Sequence, residues 1–167
     1  AVIAQSGATF NMSGGKIRNC VSTNDGGGVH VYEATFVMSG GTISGCSASN
    51  GGGLYAEKSS TVTISGGTIS GCTAREGGGL YADNSTINIS GGTISGCEGR
   101  WGGGLYATNQ STITINKGTI SGCTAENNGG GLYADSSTVT IKGGTISRCT
   151  ARNNGGGLYA TNSSTNS

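Results

Sequence analysis

Six cysteines have the residue type and the spacing to do chemistry in this chain of 167 residues. They are Cys20, Cys46, Cys72, Cys97, Cys123 and Cys149. Successive cysteines are 26, 26, 25, 26 and 26 residues apart, so each holds the same place in a repeated unit. Thiols placed in this way can pack as small apolar groups, pair as disulfides or bind metal ions, and the arrangement of the repeats decides which.

The repeated unit contains a glycine triplet and three short runs of alternating residues. It reads GGGLYA, a variable turn, STVTISGG, TISGC and a second variable turn. Apolar side chains take alternate positions in each run, as Leu80, Ile87 and Ile94 do in one copy. This alternation is the pattern of β-strands. Differences in length between the copies fall in the turns, and the SGG turn is expected where glycine takes a positive φ.

Strands this short cannot bury a core of their own. Stacked coils can, because equivalent side chains then lie about 4.8 Å apart along the stack. The sequence therefore predicts an all-β fold, a parallel β-solenoid of about six coils of 25–26 residues with three short strands per coil. We expect residues 1–162 to form this single domain and residues 163–167 to form a polar C-terminal tail.

The SGGTISGC…GGGLYA pattern resembles the right-handed parallel β-helix repeats of bacterial surface proteins, which have a pectin-lyase-like architecture. The resemblance covers nearly the whole chain. It implies the fold but no particular function, because such helices serve lyases, adhesins, tailspikes and stalks alike. Related repeats commonly place Asn in an inward ladder at the position that Cys occupies here, so the cysteines look like substitutes in that ladder.

The residues favour a core ladder of buried free thiols that act as small apolar fillers. Disulfides between neighbouring coils are the main rival, since the coil spacing suits the Cα distance of a disulfide. Side chains that point the same way would nevertheless strain such a bridge. No metal site is expected, because no His, Asp or second Cys accompanies each cysteine.

An aromatic column alternates with the inward leucines and is therefore expected to face outward. Its members are His30, Tyr55, Tyr81, Tyr106, Tyr133 and Tyr159. The column forms either a stacked ladder that stabilises one face or a flat strip that binds sugar rings or another filament. His30 is the only histidine and shows no evident carboxylate partner, so no catalytic role is expected for it.

A hydroxyl column is the other candidate binding surface. It consists of Thr9, Thr35, Thr61, Thr86, Thr112 and Thr138, and the third run adds Thr and Ser residues such as Thr93 and Ser95. Threonine suits exposed β positions, so propensity and solubility explain these residues. Flat T-x-T arrays also resemble the ice-binding faces of β-solenoid antifreeze proteins, although Val37 and Asn88 interrupt the neighbouring column.

Charged residues show no catalytic cluster. Glu57, Asp83 and Asp135 occupy the same turn in different coils. Arg75, Arg100 and Arg152 lie on the opposite turn. Lyases and hydrolases that act on polysaccharides need clustered carboxylates, so we predict no enzyme, no catalytic residue and no cofactor. The net charge of +1 argues against nucleic acid, and no apolar run is long enough to insert in a membrane.

The ends look uncapped, since the chain begins in mid-repeat without Met and the apolar pattern stops at Asn166. We expect a processed chain or a part of something longer. The favoured function is a non-enzymatic structural protein, extracellular or at the cell surface. Its partner is itself, in a head-to-tail homopolymer, or the rest of a longer adhesin stalk. Ice or glycan binding by the Thr or Tyr face is the alternative, and polysaccharide cleavage ranks third.

Overall fold

The computed structural model describes residues 1–162 and the backbone of Thr165–Asn166. All the regular elements in these residues are β-strands, which form three parallel sheets. The predicted tail, residues 163–167, lies mostly outside the described residues. Within it, Thr165 pairs with Thr138 and Asn166 with Val139.

We call the three sheets the Tyr, Thr and Arg sheets. The Tyr sheet contains the strands Val2–Gln5, Val29–Tyr32, Leu54–Glu57, Leu80–Asp83, Leu105–Thr108, Leu132–Asp135 and Leu158–Thr161. The Thr sheet contains Thr9–Arg18, Thr35–Ser44, Thr61–Ile64, Thr68–Ser70, Thr86–Ser95, Thr112–Ser121, Thr138–Ile141, Thr145–Ser147 and Thr165–Asn166. The Arg sheet contains Ser47–Asn50, Thr73–Glu76, Glu98–Trp101, Thr124–Asn128 and Thr150–Ala151.

Each strand pairs in parallel with the equivalent strand of the adjoining coil, and like residues face like residues. Leu80 lies between Leu54 and Leu105, for example, and Thr86 is opposite Thr112. The inward Leu, Ile and Val residues form one continuous core, in which most side chains are completely buried. The predicted all-β parallel solenoid of about six coils is therefore confirmed.

The division of each coil into strands differs from the sequence prediction. The run Thr93–Ser95 belongs to the same strand as Thr86, whereas the equivalent run Thr68–Ser70 is a strand of its own within the Thr sheet. Gly92, with φ +77°, lies at an irregularity in the pairing of the longer strand. The segments after Cys46, Cys72, Cys97, Cys123 and Cys149, predicted to be turns, form the Arg sheet instead, and the segment after Cys20 adds isolated bridges to it.

Glycine triplets join the Arg sheet to the Tyr sheet through bare backbone. Gly102 opens its triplet at φ +63°, which an L side chain rarely adopts. A Cβ on Gly78 would lie 2.6 Å from the carbonyl oxygen of Gly103 in the next coil. A Cβ on Gly79 would lie 2.9 Å from Cγ2 of Ile94. The first glycine is therefore required by its positive φ, and the second and third by the close approach of neighbouring atoms.

A buried serine ladder closes the corner between the Tyr sheet and the Thr sheet. Its members are Ser60, Ser85, Ser111 and Ser137, and none is more than 4 % exposed. The Ser60 hydroxyl accepts a hydrogen bond from the backbone N–H of Ala34 in the preceding coil, at 3.2 Å. It donates a hydrogen bond to the carbonyl oxygen of Glu57, at 2.6 Å. Such pairing is what makes burial of these hydroxyls tolerable.

Replacing Gly78 by Ala is expected to lower the free energy of unfolding by about 1–3 kcal/mol, the usual cost of overpacking. The new methyl group would meet the backbone of Glu98 and Gly103, which cannot move without breaking the stack. Chemical denaturation followed by circular dichroism measures the effect. Gly14→Ala is the matched control, because its Cβ would meet nothing within 4 Å. Equal losses in the two variants would contradict this account of the triplet.

Candidate functional site

The six cysteines form one column at the corner between the Thr sheet and the Arg sheet. Their backbones are in register, since the N–H groups of Thr73 and Glu98 donate to the carbonyls of Cys46 and Cys72, each at 2.9 Å. Four of the thiols are 0 % exposed, and the two end residues, Cys20 and Cys149, are partly exposed. All six are free thiols in the structure.

The thiols are held as weak hydrogen-bond donors. Sγ of Cys97 lies 3.4 Å from the Ser95 carbonyl oxygen and 4.0 Å from that of Ile69 in the preceding coil. Burial raises the pKa of Cys46 to about 11. Hydrogen bonds with the thiols of Cys123 and Cys72, together with burial, raise the pKa of Cys97. Both of these thiols are therefore protonated at neutral pH, which makes them poor nucleophiles.

The aromatic column is a stacked ladder, as one of the two predicted forms required. Ring centroids are 5.1 Å apart for Tyr55 and Tyr81, 5.0 Å for Tyr81 and Tyr106, and 4.8 Å for Tyr106 and Tyr133. The two central pairs are nearly parallel, at 6° and 3°. The His30 ring meets Tyr55 edge-on at 5.1 Å.

The central members of this outward-facing ladder are covered by neighbouring rings. Tyr55, Tyr81 and Tyr106 point away from the main core, yet they are only 6 %, 8 % and 9 % exposed. They form a second apolar cluster, with Trp101 and Tyr133 packed against it. Because the rings cover one another, their faces are not free to stack on a sugar. A ligand-binding role for the tyrosines stays a prediction.

Trp101 packs against this cluster and Glu76 interacts with Tyr81, although neither residue was predicted to be important from the sequence. Both lie at the end of an Arg-sheet strand, where they pair with each other across adjoining coils. The Tyr81 hydroxyl donates a hydrogen bond to the Glu76 carboxylate, whose own pKa is raised by burial. Burial likewise raises the pKa of Tyr81 and Tyr106 above the usual value for a phenol.

His30 has a carboxylate partner, contrary to the sequence analysis. Its Nε2 lies 2.9 Å from Oε1 of Glu57 in the next coil. Asp83 and Asp135 are also bonded across coils, since each accepts a hydrogen bond of 2.7 Å, from the Nδ2 groups of Asn109 and Asn162. The three carboxylates are thus used to tie neighbouring turns together, and the structure does not bring them to one site.

The arginines lie on the opposite side, as expected. Arg75 and Arg100 line a shallow groove of about 340 Å³ with Glu98 and Glu126. The Arg100 guanidinium also lies 4.7 Å from the ring centre of Trp101. Within residues 1–162, no cluster of three or more His, Cys, Asp or Glu residues could hold a metal ion.

The hydroxyl residues form several in-register columns. The predicted threonine column is in register, with Thr61 beside Thr86 and Thr86 beside Thr112. The Thr and Ser columns of the third run are also in register and belong to the Thr sheet, with Thr93 opposite Thr119. No Asp or Glu occurs in the described strands of the Thr sheet.

Three parallel sheets with ladders of like residues define a parallel β-helix. The family model described as "Right handed beta helix region" matches residues 2–145, and the chain belongs to this right-handed β-helix family. Neither the curated proteins nor the solved structures include a significant match. The family includes both enzymes and non-enzymes, so membership establishes the fold. Among the described residues, no helix is long and apolar enough to cross a membrane.

Stability is expected to fall steeply above about pH 10, where free phenols ionise. Tyr55, Tyr81 and Tyr106 keep their protons in the folded chain because burial raises their pKa. The unfolded chain then binds fewer protons than the folded one. Its free energy of unfolding therefore drops by roughly 1.4 kcal/mol per pH unit for each such phenol. Denaturation midpoints across this range measure the slope.

The double variant Tyr55→Phe/Tyr106→Phe is the control for this pH dependence. It keeps the stacked rings but removes two of the ionisable groups, while every other titrating side chain is the same. We expect its stability to fall less steeply with pH than that of the parent chain. Identical slopes in the two proteins would show that the ladder does not hold its phenols protonated.

Proposed function

We propose that this chain is a non-enzymatic structural element of the extracellular space or the cell surface. Its coils stack on further coils, either of a second copy in a head-to-tail fibre or of a longer stalk. The main observation in support of the proposal is that successive coils present the same kind of surface to each other along the stack. Each coil presents to the next the same backbone groups, the same core columns and the same side-chain ladders.

The core columns of the first coil support this stacking. Val2, Phe10, Ile17 and Cys20 pack on the core but remain partly exposed. Their equivalents one coil later are Val29, Phe36, Ile43 and Cys46, all 0 % exposed. Another coil placed on the first would bury the apolar surface that its side chains leave in contact with water, at about 25 cal/mol per Å².

The charged residues support a structural role over catalysis. The carboxylates of Glu57, Asp83 and Asp135 each make a hydrogen bond with a side chain of an adjoining coil. These bonds hold neighbouring coils together. The extracellular location rests on the resemblance of the repeats to those of bacterial surface proteins.

Electron microscopy and sedimentation velocity across a range of concentrations test the fibre form. We expect unbranched rods that lengthen with concentration. Ile3→Lys is expected to shorten them, because Ile3 is 63 % exposed and opposite His30, at the first position of the aromatic column. Gln110→Lys, on an exposed lateral turn, is the matched control and should leave the rods unchanged. Discrete particles at every concentration would contradict the fibre form.

A tandem chain tests the stalk form separately. Two copies joined in register should form one continuous rod, longer by about 29 Å for six added coils at about 4.8 Å each. Small-angle X-ray scattering measures that length. Two independently tumbling bodies of the original size would contradict stacking between coils of this kind.

The hydroxyl columns of the Thr sheet favour a second function, binding to ice or to a glycan. The observation in its support is that several hydroxyl columns lie side by side on one sheet. Thr112→Leu/Thr138→Leu is then expected to abolish thermal hysteresis or glycan-array binding. Thr124→Leu/Thr150→Leu is the control, since these exposed threonines lie in the Arg sheet. Equal activity in both variants would contradict a role for this face.

A further inference from the structure

The cysteine column offers pairs of sulfur ligands from adjoining coils. No second ligand accompanies a cysteine within its own coil, but the adjoining coil supplies one. Along the whole column, backbone hydrogen bonds hold each cysteine in register with the cysteine of the adjoining coil. We propose that adjacent cysteines bind soft, two-coordinate metal ions of the d10 class, Ag(I), Cu(I) or Hg(II), with one ion between each pair of sulfurs.

The spacing of the coils fits such an ion. Parallel strands lie about 4.8 Å apart, and the register of Cys46 with Cys72 is fixed by the ladder bond from Thr73. A metal–thiolate bond of about 2.3 Å makes a sulfur–metal–sulfur line of about 4.6 Å. A disulfide, at about 2.05 Å between sulfurs, would require the two side chains to move together. The column therefore suits an inserted ion better than a direct bond.

The surroundings of the column restrict the coordination number. Beyond the sulfurs, the thiol of Cys97 lies within hydrogen-bonding distance of the carbonyl oxygens of Ser95 and Ile69. No third His, Cys, Asp or Glu ligand joins any pair within the part of the chain described. Zinc takes four ligands in structural sites, so two sulfurs would leave its coordination incomplete. An ion that prefers two soft sulfur ligands would be fully coordinated by one pair of cysteines.

Charge balance also favours these ions. When Hg(II) binds, two S–H bonds break, two Hg–S bonds form and two protons leave to water, so the site is neutral. When Ag(I) or Cu(I) binds, one thiol loses its proton and the second coordinates as a neutral thiol, which is again neutral overall. Nothing is oxidised or reduced. A neutral site avoids the large cost of placing an unpaired charge in an apolar core.

Six sulfurs in a line form at most three separate pairs. These are Cys20 with Cys46, Cys72 with Cys97, and Cys123 with Cys149. The two end thiols are partly exposed, and the four between them are buried. The capacity is therefore three ions per chain, and it depends on which cysteines are neighbours as well as on how many there are.

Titration of the reduced chain with Hg(II), followed by its sulfur-to-metal absorption band, tests the proposal. Three ions per chain and two protons released per ion are expected. The decisive comparison is between two variants that each retain four thiols. Cys20→Ala/Cys149→Ala leaves two neighbouring pairs and should bind two ions. Cys46→Ala/Cys97→Ala leaves only the pair Cys123 and Cys149 and should bind one.

Circular dichroism checks that both variants keep the parent fold. Should the second fail to fold, Cys72→Ala/Cys123→Ala replaces it, since it also leaves a single pair. Equal binding by the two four-thiol variants, or one ion per thiol, would overturn the proposal in favour of independent thiols. Zinc binding as tight as that of Hg(II) would overturn the two-coordinate site. The site lies within one chain, so these outcomes do not depend on fibre formation.

Discussion

The parallel, in-register contact between successive coils is the interaction on which this molecule depends. A single coil has no interior, because its inward Leu and Ile side chains meet their partners only above and below. Leu80, for example, is completely buried between Leu54 and Leu105. The same contact aligns the serine, cysteine and tyrosine ladders, so a slip of one residue would disrupt all of them together.

The periodic part of this structure could be predicted from sequence. The cysteine spacing and the alternating runs were sufficient for the fold class and the threonine column, because like residues must lie over like residues in a stack. The Arg sheet could not be predicted in this way. Its inward positions, such as Ala74 and Gly99, lie at the corner with the glycine triplets, so the strands lack the large apolar residues that signal a strand.

The positions of the candidate side chains could be predicted from the sequence, but their burial and their contacts could not. The tyrosines were placed on the correct side of their strand, but alternation alone does not reveal that stacked rings and Trp101 would bury them. The pair of His30 and Glu57 was hidden because the two residues are separated by 27 positions and lie in different coils. Contacts along the axis become visible only once the register is known.

The corner between the Tyr sheet and the Thr sheet shows how such a rod could acquire new properties. Its turns differ by one residue between coils, with Lys58 and Ser59 both at positive φ where Asn84 stands alone in the next coil. The serine ladder closes the core behind either version. A longer excursion grafted at this corner would leave every column aligned. The rod is therefore a scaffold on which recognition loops can diversify while the coils beneath them stay constant.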